Sequence, residues 1–584
     1  MKKPAPALII SYYKPYRGLL ALDLFSSVMV AALGLTLPLC VRYITNDILQ
    51  YGASGVTPGV APDGAETMAN GANALAGGAG VLSGVLGVGA LMILIIGVMT
   101  GFGIINDYLG HDMGARIERD LRRDLFERYQ RLPFSFYDDR NTGELMSRLM
   151  NDLYNLSEVC HHVPETILTL SIQVIGSFTI LFIVDWRLAL VVLALIPAIA
   201  AYSFIFYKKL QKSYKTNRER IADVNAAVQD SLSGFRVTKS FANERVEIGR
   251  FGVTNERYYA SQSSIYKSEA LFYSVVQYFL TPLITVVIVA AGGILISGGT
   301  FNIADLLMFI MYAAFFTGPI PGLASLIPFY QQGFSGYRRF QEIMAVPPEA
   351  EDARDAAELD SPVGRVEFDN VAFRYKEEHE YVLENISFVA RPGDIIAIVG
   401  RSGIGKTTLC SLIPRFYDVS GGAVRVDGTD VRHIAKRSLR RQIGVVWQET
   451  FLMSGTVMDN ILYGKPGASR DEAVEAAKKA NAHAFVSGLP DGYDTDVGQR
   501  GSKLSGGQRQ RIGIARVFLM DPAIIIFDEA TSSLDYESEK AVMDGLMELT
   551  NGRTTFIIAH RESTIRRANR VLELGDAGIT ERDA

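Results

Sequence analysis

The chain has 584 residues and a formal net charge of −5. That length exceeds what one hydrophobic core organises, so several domains are expected, and the small charge supplies no general attraction for nucleic acid. Cys40, Cys160 and Cys410 are too few and too widely spaced for a disulfide framework or a cysteine-ligated metal, and read as small apolar fillers.

The first half is organised by six long, weakly charged runs at about 19–44, 81–105, 167–184, 188–207, 270–296 and 306–330. Apolar runs of about 18 residues or more are long enough to cross a bilayer as helices. Residues 1–343 are therefore expected to form an all-α six-helix transmembrane domain in contact with membrane lipids. The first run is too long, and lacks the cleavage pattern, for a removable signal peptide. Lys2, Lys3, Lys14 and Arg17 precede it, and no Lys or Arg occurs from 43 to 115. Arg116, Arg119, Arg122, Arg123, Arg128 and Arg131 follow the second run; Lys208, Lys209, Lys212, Lys215, Arg218 and Arg220 follow the fourth. Positive charge gathers on the cytoplasmic side. The N-terminus and everything after the sixth run are thus expected in the cytoplasm, most simply at a bacterial inner membrane. Residues 51–80, rich in Gly and Ala, read as an external loop.

Segments 107–132 and 208–266 mix polar and apolar residues without a strong breaker, and predict membrane helices that continue into the cytoplasm. Each meets a less regular corner, at 136–145 and 231–241. Phe136, Tyr137, Phe235 and Phe241 sit there with no membrane to enter, which suggests contact with a cytoplasmic domain. Asp23, Arg42 and Asp107 fall at run ends and read as interfacial. The uncharged stretches 272–280 and 308–316 carry aromatics, the second also Met; they suit either a cavity for varied apolar ligands or ordinary helix packing.

Residues 344–364, acidic, Ala-rich and punctuated by Pro, read as a linker. From 365 to 584 the pattern becomes that of a soluble α/β domain. Short strands are expected at 365–368 and 423–426, with Asn370 and Gly421-Gly422 as turn signals. Ile395-Ile396-Ala397-Ile398-Val399 reads as a buried strand. It runs into Gly400-Arg401-Ser402-Gly403-Ile404-Gly405-Lys406-Thr407, which fits G-x-x-x-x-G-K-[ST], and then into a helix start at Thr408. Glycines let backbone N–H groups close around phosphate oxygens, and the helix N-terminus adds a positive dipole. Lys406 would reach the β- and γ-phosphates, and Thr407 would offer its hydroxyl to Mg²⁺. Ala523-Ile524-Ile525-Ile526-Phe527-Asp528-Glu529 predicts a second buried strand ending in two acids. Asp528 is placed for Mg²⁺ and Glu529 for polarising an attacking water.

Leu504-Ser505-Gly506-Gly507-Gln508, followed by Arg509-Gln510-Arg511, resembles the signature of ATP-binding-cassette (ABC) proteins. With the phosphate loop, the acid-ended strand and six preceding runs, the whole chain resembles a half-transporter of the ABC exporter type, as in multidrug and lipid exporters. The resemblance implies a membrane domain with long cytoplasmic helices, followed by an α/β P-loop ATP-binding cassette that uses ATP and Mg²⁺. It implies that Tyr375 stacks on adenine, that Gln448 touches Mg²⁺ and the membrane-domain corners, that Asp535 lies in a loop crossing to the partner cassette, and that His560 holds the γ-phosphate. Trp447 stands where proline is usual beside Gln448. Residues 495–501 match the segment that senses the membrane helices, with Gln499 where Glu is usual. The corners resemble coupling helices, one of which docks on the other subunit's cassette. Two chains are implied, because Ser505, Gly506, Gly507 and Gln508 close the partner's ATP. A homodimer is favoured, since symmetric homo-oligomers are the commoner case.

The expected activity is ATP-driven export of hydrophobic or amphipathic compounds by alternating access. A lipid flippase, a peptide exporter, a siderophore importer on the same fold and an ATP-gated channel or regulator remain alternatives. No peptidase-like segment precedes the first run, so coupled leader processing is not expected.

Overall fold

Long apolar helices build the first half in a computed structural model that describes residues 10–49, 64–317, 319–353, 355–528, 536–559, 561–575 and 578–582. Among them, Ile10–Ile48, Gly80–Gln130, Thr142–Val184, Trp186–Ser233 and Glu244–Ser297 are long and apolar enough to cross a membrane, and Ile303–Phe316 is a shorter apolar helix. The helix Gly64–Gln130 has 67 residues and Trp186–Ser233 has 48. At about 1.5 Å per residue, both far exceed a hydrocarbon core about 30 Å thick, so they must project well beyond it. Asp185 makes the tight turn between the third and fourth runs: its carboxylate accepts from Arg187 N and Leu188 N and caps the helix that follows.

Two expectations about the helical half need correction. The stretch assigned to an external loop is helical from Gly64 onward, because its alanines favour helix more than its glycines oppose it; residues 51–63 lie outside the described residues. The sixth run lies within helices Ile303–Thr317 and Pro319–Ala345, residue 318 being outside the described residues. Asp23, at a run end, is not exposed but fully buried within the unit. Arg42 does pair with Asp305, and Asp107 is exposed. Met308, Phe309, Tyr312 and Phe316 are buried with Leu181, Leu188 and Ile284, so helix packing accounts for 308–316.

The chain divides into two compact units, Met1–Tyr129 with Thr142–Ala345, and Gln130–Asn141 with Val346–Ala584. The second unit contains the sheets. Its strands are Val366–Phe373 (β1), Leu383–Ala390 (β2), Ile395–Val399 (β3), Gly421–Val426 (β4), Thr429–Asp430 (β5), Ile443–Val446 (β6), Ile524–Asp528 (β7), Thr554–Ile558 (β8), Arg570–Gly575 (β9) and Gly578–Arg582 (β10). An antiparallel sheet has the order β2-β1-β4-β5, and a second sheet the order β10-β9-β3-β8-β7-β6. In the second, β3 runs parallel to β8 and β9, and β7 to β6 and β8. Strands buried on both faces read as unbroken apolar runs. Ile396, Ile398, Ile524, Ile526, Phe556 and Ile558 face one core, shared with Val366 and Phe368 of the first sheet. Ala397, Ile525, Phe527 and Ile557 face the other, under helices Arg470–Lys479, Gly506–Met520 and Tyr536–Thr550. Asn370 is not a turn residue. It lies inside β1 with φ +48°, where the pairing register shifts, because asparagine tolerates the left-handed region that a bulge needs.

The acidic stretch after Ala345 is held against this unit. Glu349 pairs with Arg440, Asp352 with Lys436, and Leu359 N donates to Ser438 Oγ at 2.7 Å.

Candidate nucleotide-binding site

The parallel strands deliver their carboxyl ends to one edge. Ile398 of β3 pairs in register with Ile558 of β8, which pairs with Asp528 of β7. Open α/β sheets bind ligands at such an edge. The phosphate loop leaves β3 there and ends in the helix Lys406–Leu412. Two of its glycines are obligatory. Gly400 has φ +152°, and a Cβ on it would lie 2.6 Å from Leu574 O; Gly405 has φ +108°, with Leu383 and Val382 side chains 3.0 Å from where a Cβ would stand. Arg401, Ser402 and Gly403 are exposed, with Ile404 half-buried beneath them.

Lys406 is buried, and its Nζ donates to Gly400 O and Arg401 O, each at 3.0 Å, arching over the loop. Thr407 Oγ1 lies 3.3 and 3.4 Å from the two oxygens of Asp528. Neighbouring ligands in a Mg²⁺ octahedron with bonds of 2.0–2.1 Å stand about 2.9 Å apart. The hydroxyl–carboxylate pair, brought together from positions 121 residues apart, therefore fits one edge of a Mg²⁺ site. Behind it, burial pushes the Cys410 thiol well above its ordinary range, so this cysteine is an unreactive filler.

Tyr375 keeps an exposed ring face. Its edge is braced by Phe373 and Tyr417, both at near-perpendicular angles, and its hydroxyl is 2.8 Å from Thr408 Oγ1. A ring held this way is a stacking platform for a flat base. Gln448 follows β6, and its backbone oxygen accepts from Gln510 Nε2 at 3.4 Å, next to the signature. Trp447, the departure from the family pattern, stacks on Phe416 at 6.1 Å.

Phe416 is the centre of a contact that the motifs did not reveal. Its other partner is Phe134, stacked at 4.3 Å, on the short helix Phe134–Asp138 of the first corner. Tyr417 donates to Asp138 Oδ2 at 2.9 Å, and Lys376 bonds Asp139 Oδ2 at 2.6 Å. Burial and that acidic acceptor push the Tyr417 hydroxyl upward, while Lys376 holds the Asp139 carboxyl below its ordinary range. The first corner belongs to the same compact unit as the cassette. The aromatic pair Phe416-Tyr417 was the available signal, but it lies in an irregular stretch where no periodicity marks a face.

The signature is a helix cap. Ser505 precedes the helix Gly506–Met520; its Oγ accepts from Gln508 N at 3.3 Å and its N–H donates to Gln508 Oε1 at 2.9 Å. Such a box contributes about 1 kcal/mol and leaves the remaining N-terminal amides of Gly506 and Gly507 directed outward. Residues 495–501 are pinned by Val497 N to Gly455 O and by Asp496 with Lys503 at 2.8 Å; Gln499 opens the turn Gln499–Gly501. Glu529, Asp535 and His560 lie outside the described residues. The last described residues before two of them, Asp528 and Ala559, leave adjacent parallel strands at this same edge.

Comparison with known proteins gives a consistent result. A family model described as the ABC transporter transmembrane region matches residues 20–320, and one described as ABC transporter matches residues 383–532. The chain is 37% identical to the ABC transporter ATP-binding protein YwjA of Bacillus subtilis, covering 98% of this chain and 94% of that one. It is also 37% identical to the ATP-dependent lipid A-core flippase of Syntrophus aciditrophicus, over 84% of this chain and 82% of that protein. It is 33% identical to the putative multidrug export protein YgaD of Bacillus subtilis, over 98% and 95%. Among solved structures, a bacterial Atm1-family ABC exporter with ATP bound superposes with a TM-score of 0.74 at 27% identity, covering 97% of this chain and 95% of that one.

Proposed function

Since the chain belongs to the ABC transporter family, as an exporter whose ATP hydrolysis is coupled to transport, we propose that two copies of it move hydrophobic or amphipathic molecules, drug-like compounds or lipids, out of the cytoplasm or inner leaflet. The names of its relatives, a lipid A-core flippase and a putative multidrug exporter, support that class of cargo. Residues 1–343 form the membrane domain, 344–364 the linker and 365–584 the cassette. The Arg- and Lys-rich internal segments support a cytoplasmic cassette at a bacterial inner membrane.

The observation that carries the reading is the meeting of Thr407 with Asp528 beside Lys406 at the strand ends. Lys406 neutralises the β- and γ-phosphates, Tyr375 stacks on adenine, and the amides of 400–408 cradle the phosphates. Thr407, Gln448 and Asp528 would hold Mg²⁺, which would supply positive charge to offset that of the phosphates. Glu529 takes the proton of the attacking water, and His560 contacts the γ-phosphate. The outward N-terminus behind Ser505, Gly506, Gly507 and Gln508 supports a role in closing the partner's ATP, with Asp535 crossing the interface. ATP then binds the two cassettes together, and its hydrolysis releases them, switching the membrane helices between inward- and outward-open states.

Glu529→Gln in the full chain, in nanodiscs, is expected to lower ATPase turnover by about a hundredfold or more while ATP is still bound. Unchanged turnover would remove Glu529 from its role. ATP-dependent accumulation of a fluorescent amphipathic dye in inside-out vesicles is expected for the wild type. Passive current would identify a channel instead, and ATP-driven loss of dye from the vesicles an importer.

A further inference from the structure

Three histidines meet where helices of the membrane unit approach one another. His111 lies on Gly64–Gln130, and His161 and His162 on Leu153–Val184. Their ring centroids are 4.7 Å apart for His111 and His161, 5.3 Å for His111 and His162, and 4.1 Å for His161 and His162. One ring nitrogen from each lies within 4.8 Å of the others. The cluster lies just after the second apolar run on one helix and just before the third on the other, where His111 is exposed and His161 is 2% exposed.

The hydrogen bonds of the rings select their tautomers. His161 Nδ1 is 3.1 Å from Ser157 O, and His111 Nδ1 is 2.7 Å from Asp107 O. A carbonyl can only accept, so each Nδ1 carries the proton, and Nε2 of each neutral ring keeps its lone pair. His162 turns its Nε2 toward Glu158, at 3.6 Å, leaving Nδ1. Backbone carbonyls that orient imidazoles in this way are the usual support behind metal-ligating histidines. His161 Nε2 is buried without a hydrogen-bond partner among the described residues, and so are both carboxylate oxygens of Asp23. The two side chains share a wall: a Cβ on Gly110 would lie 3.1 Å from Asp23 Oδ1 and 3.6 Å from His161 Cδ2. A buried lone pair and a buried carboxylate, each unsatisfied, oppose folding unless a further group satisfies them.

We propose that His111, His161 and His162, charge-balanced by the adjacent Asp23, bind a divalent transition metal of the Zn²⁺ class and thereby tie helices Arg17–Tyr43, Gly64–Gln130 and Leu153–Val184 together. Imidazole nitrogen with one carboxylate suits this class, whereas Mg²⁺ and Ca²⁺ take oxygen ligands. Ligand nitrogens in a tetrahedral Zn²⁺ site with bonds of 2.0–2.1 Å stand about 3.3 Å apart, so the rings must close in from their present spacing to take the metal. The exposed His111 provides both the entry path and the freedom to close.

The test uses tag-free, metal-stripped, full-length protein in nanodiscs, equilibrated with Zn²⁺ and desalted. About one zinc per chain is expected by elemental analysis, and Co²⁺ in its place should give the intense visible absorption of four-coordinate cobalt. The double variant His111→Gln/His162→Gln alters the less buried positions. It should elute as the parent does and bind zinc roughly a hundredfold more weakly. His161→Gln should also lose the metal. Wild-type zinc no higher than that of the double variant, or only the weak absorption of six-coordinate cobalt, overturns the proposal.

Discussion

The two corners that interrupt the long helices of the first half are alike in carrying aromatics and opposite in environment. Both are short helices with aromatics in or beside them, Phe134–Asp138 and Phe235–Ser240 followed by Phe241. The first is joined to the cassette of its own chain: Phe134 on Phe416, Asp138 to Tyr417, Asp139 to Lys376, with Phe136 buried. At the second, Phe235, Val237 and Phe241 are 52%, 62% and 72% exposed, and the Lys239 contacts to Glu244 and the Phe235 ring are local. Isolated exposed hydrophobics are normal; three within seven residues of one short helix and its C-cap indicate a surface awaiting a partner. The first corner is satisfied inside its own compact unit, whereas the second makes only local contacts and is the one proposed to meet a second subunit.

The strongest way to break that comparison is Phe235→Ser/Phe241→Ser. Melting of the chain should change by no more than about 0.5 kcal/mol, as for surface positions, while ATPase turnover in nanodiscs falls roughly tenfold, equivalent to about 1.4 kcal/mol of barrier. A lower melting temperature with unchanged turnover would mean that the second corner is structural within one chain. Phe416→Ala should do the reverse. It removes the stacks with Phe134 and Trp447 and the cation–π contact with Arg440. Since Phe416 is half-buried, a cost of about 2 kcal/mol is expected, read by denaturant unfolding. The smallest effect concerns the Lys376–Asp139 pair, which is exposed and therefore weak and screened by salt. Because Lys376 lowers the Asp139 carboxyl, its contribution is complete above the ordinary aspartate range and disappears as pH falls through the lowered value. Lys376→Met should abolish that acid-side dependence, and unfolding curves at low and high salt would detect it.

Much of the cassette was legible because its chemistry is local. Residues 395–408 carry strand, loop and helix start in one uninterrupted stretch, and the structure forms them as β3, the phosphate loop and Lys406–Leu412. Ser505 and Gln508 show a cap spacing that the helix Gly506–Met520 uses. Legibility failed where identity and environment part company. Asp23 looks interfacial from its place at a run end, yet is buried, since which face of a helix meets its neighbours is not encoded in a run's hydropathy. Asn370 looks like a turn, but cross-strand pairing turns it into a bulge. The gathering of His111 with His161 and His162 joins residues about fifty positions apart, with no local spacing to announce it.

By itself, the amino-acid order determined how many apolar runs exist, where the nucleotide loop and the acid-ended strand stand, and which family motifs they compose. These depend on covalent neighbours: runs, caps and glycine positions act over a few residues. Tertiary structure alone decided that Thr407 meets Asp528, that Trp447 rests on Phe416 and Phe416 on Phe134, and that one aromatic corner is covered while the other stays bare. Those contacts depend on how sheets order their strands and how helices choose the faces they bury, which short-range sequence leaves open.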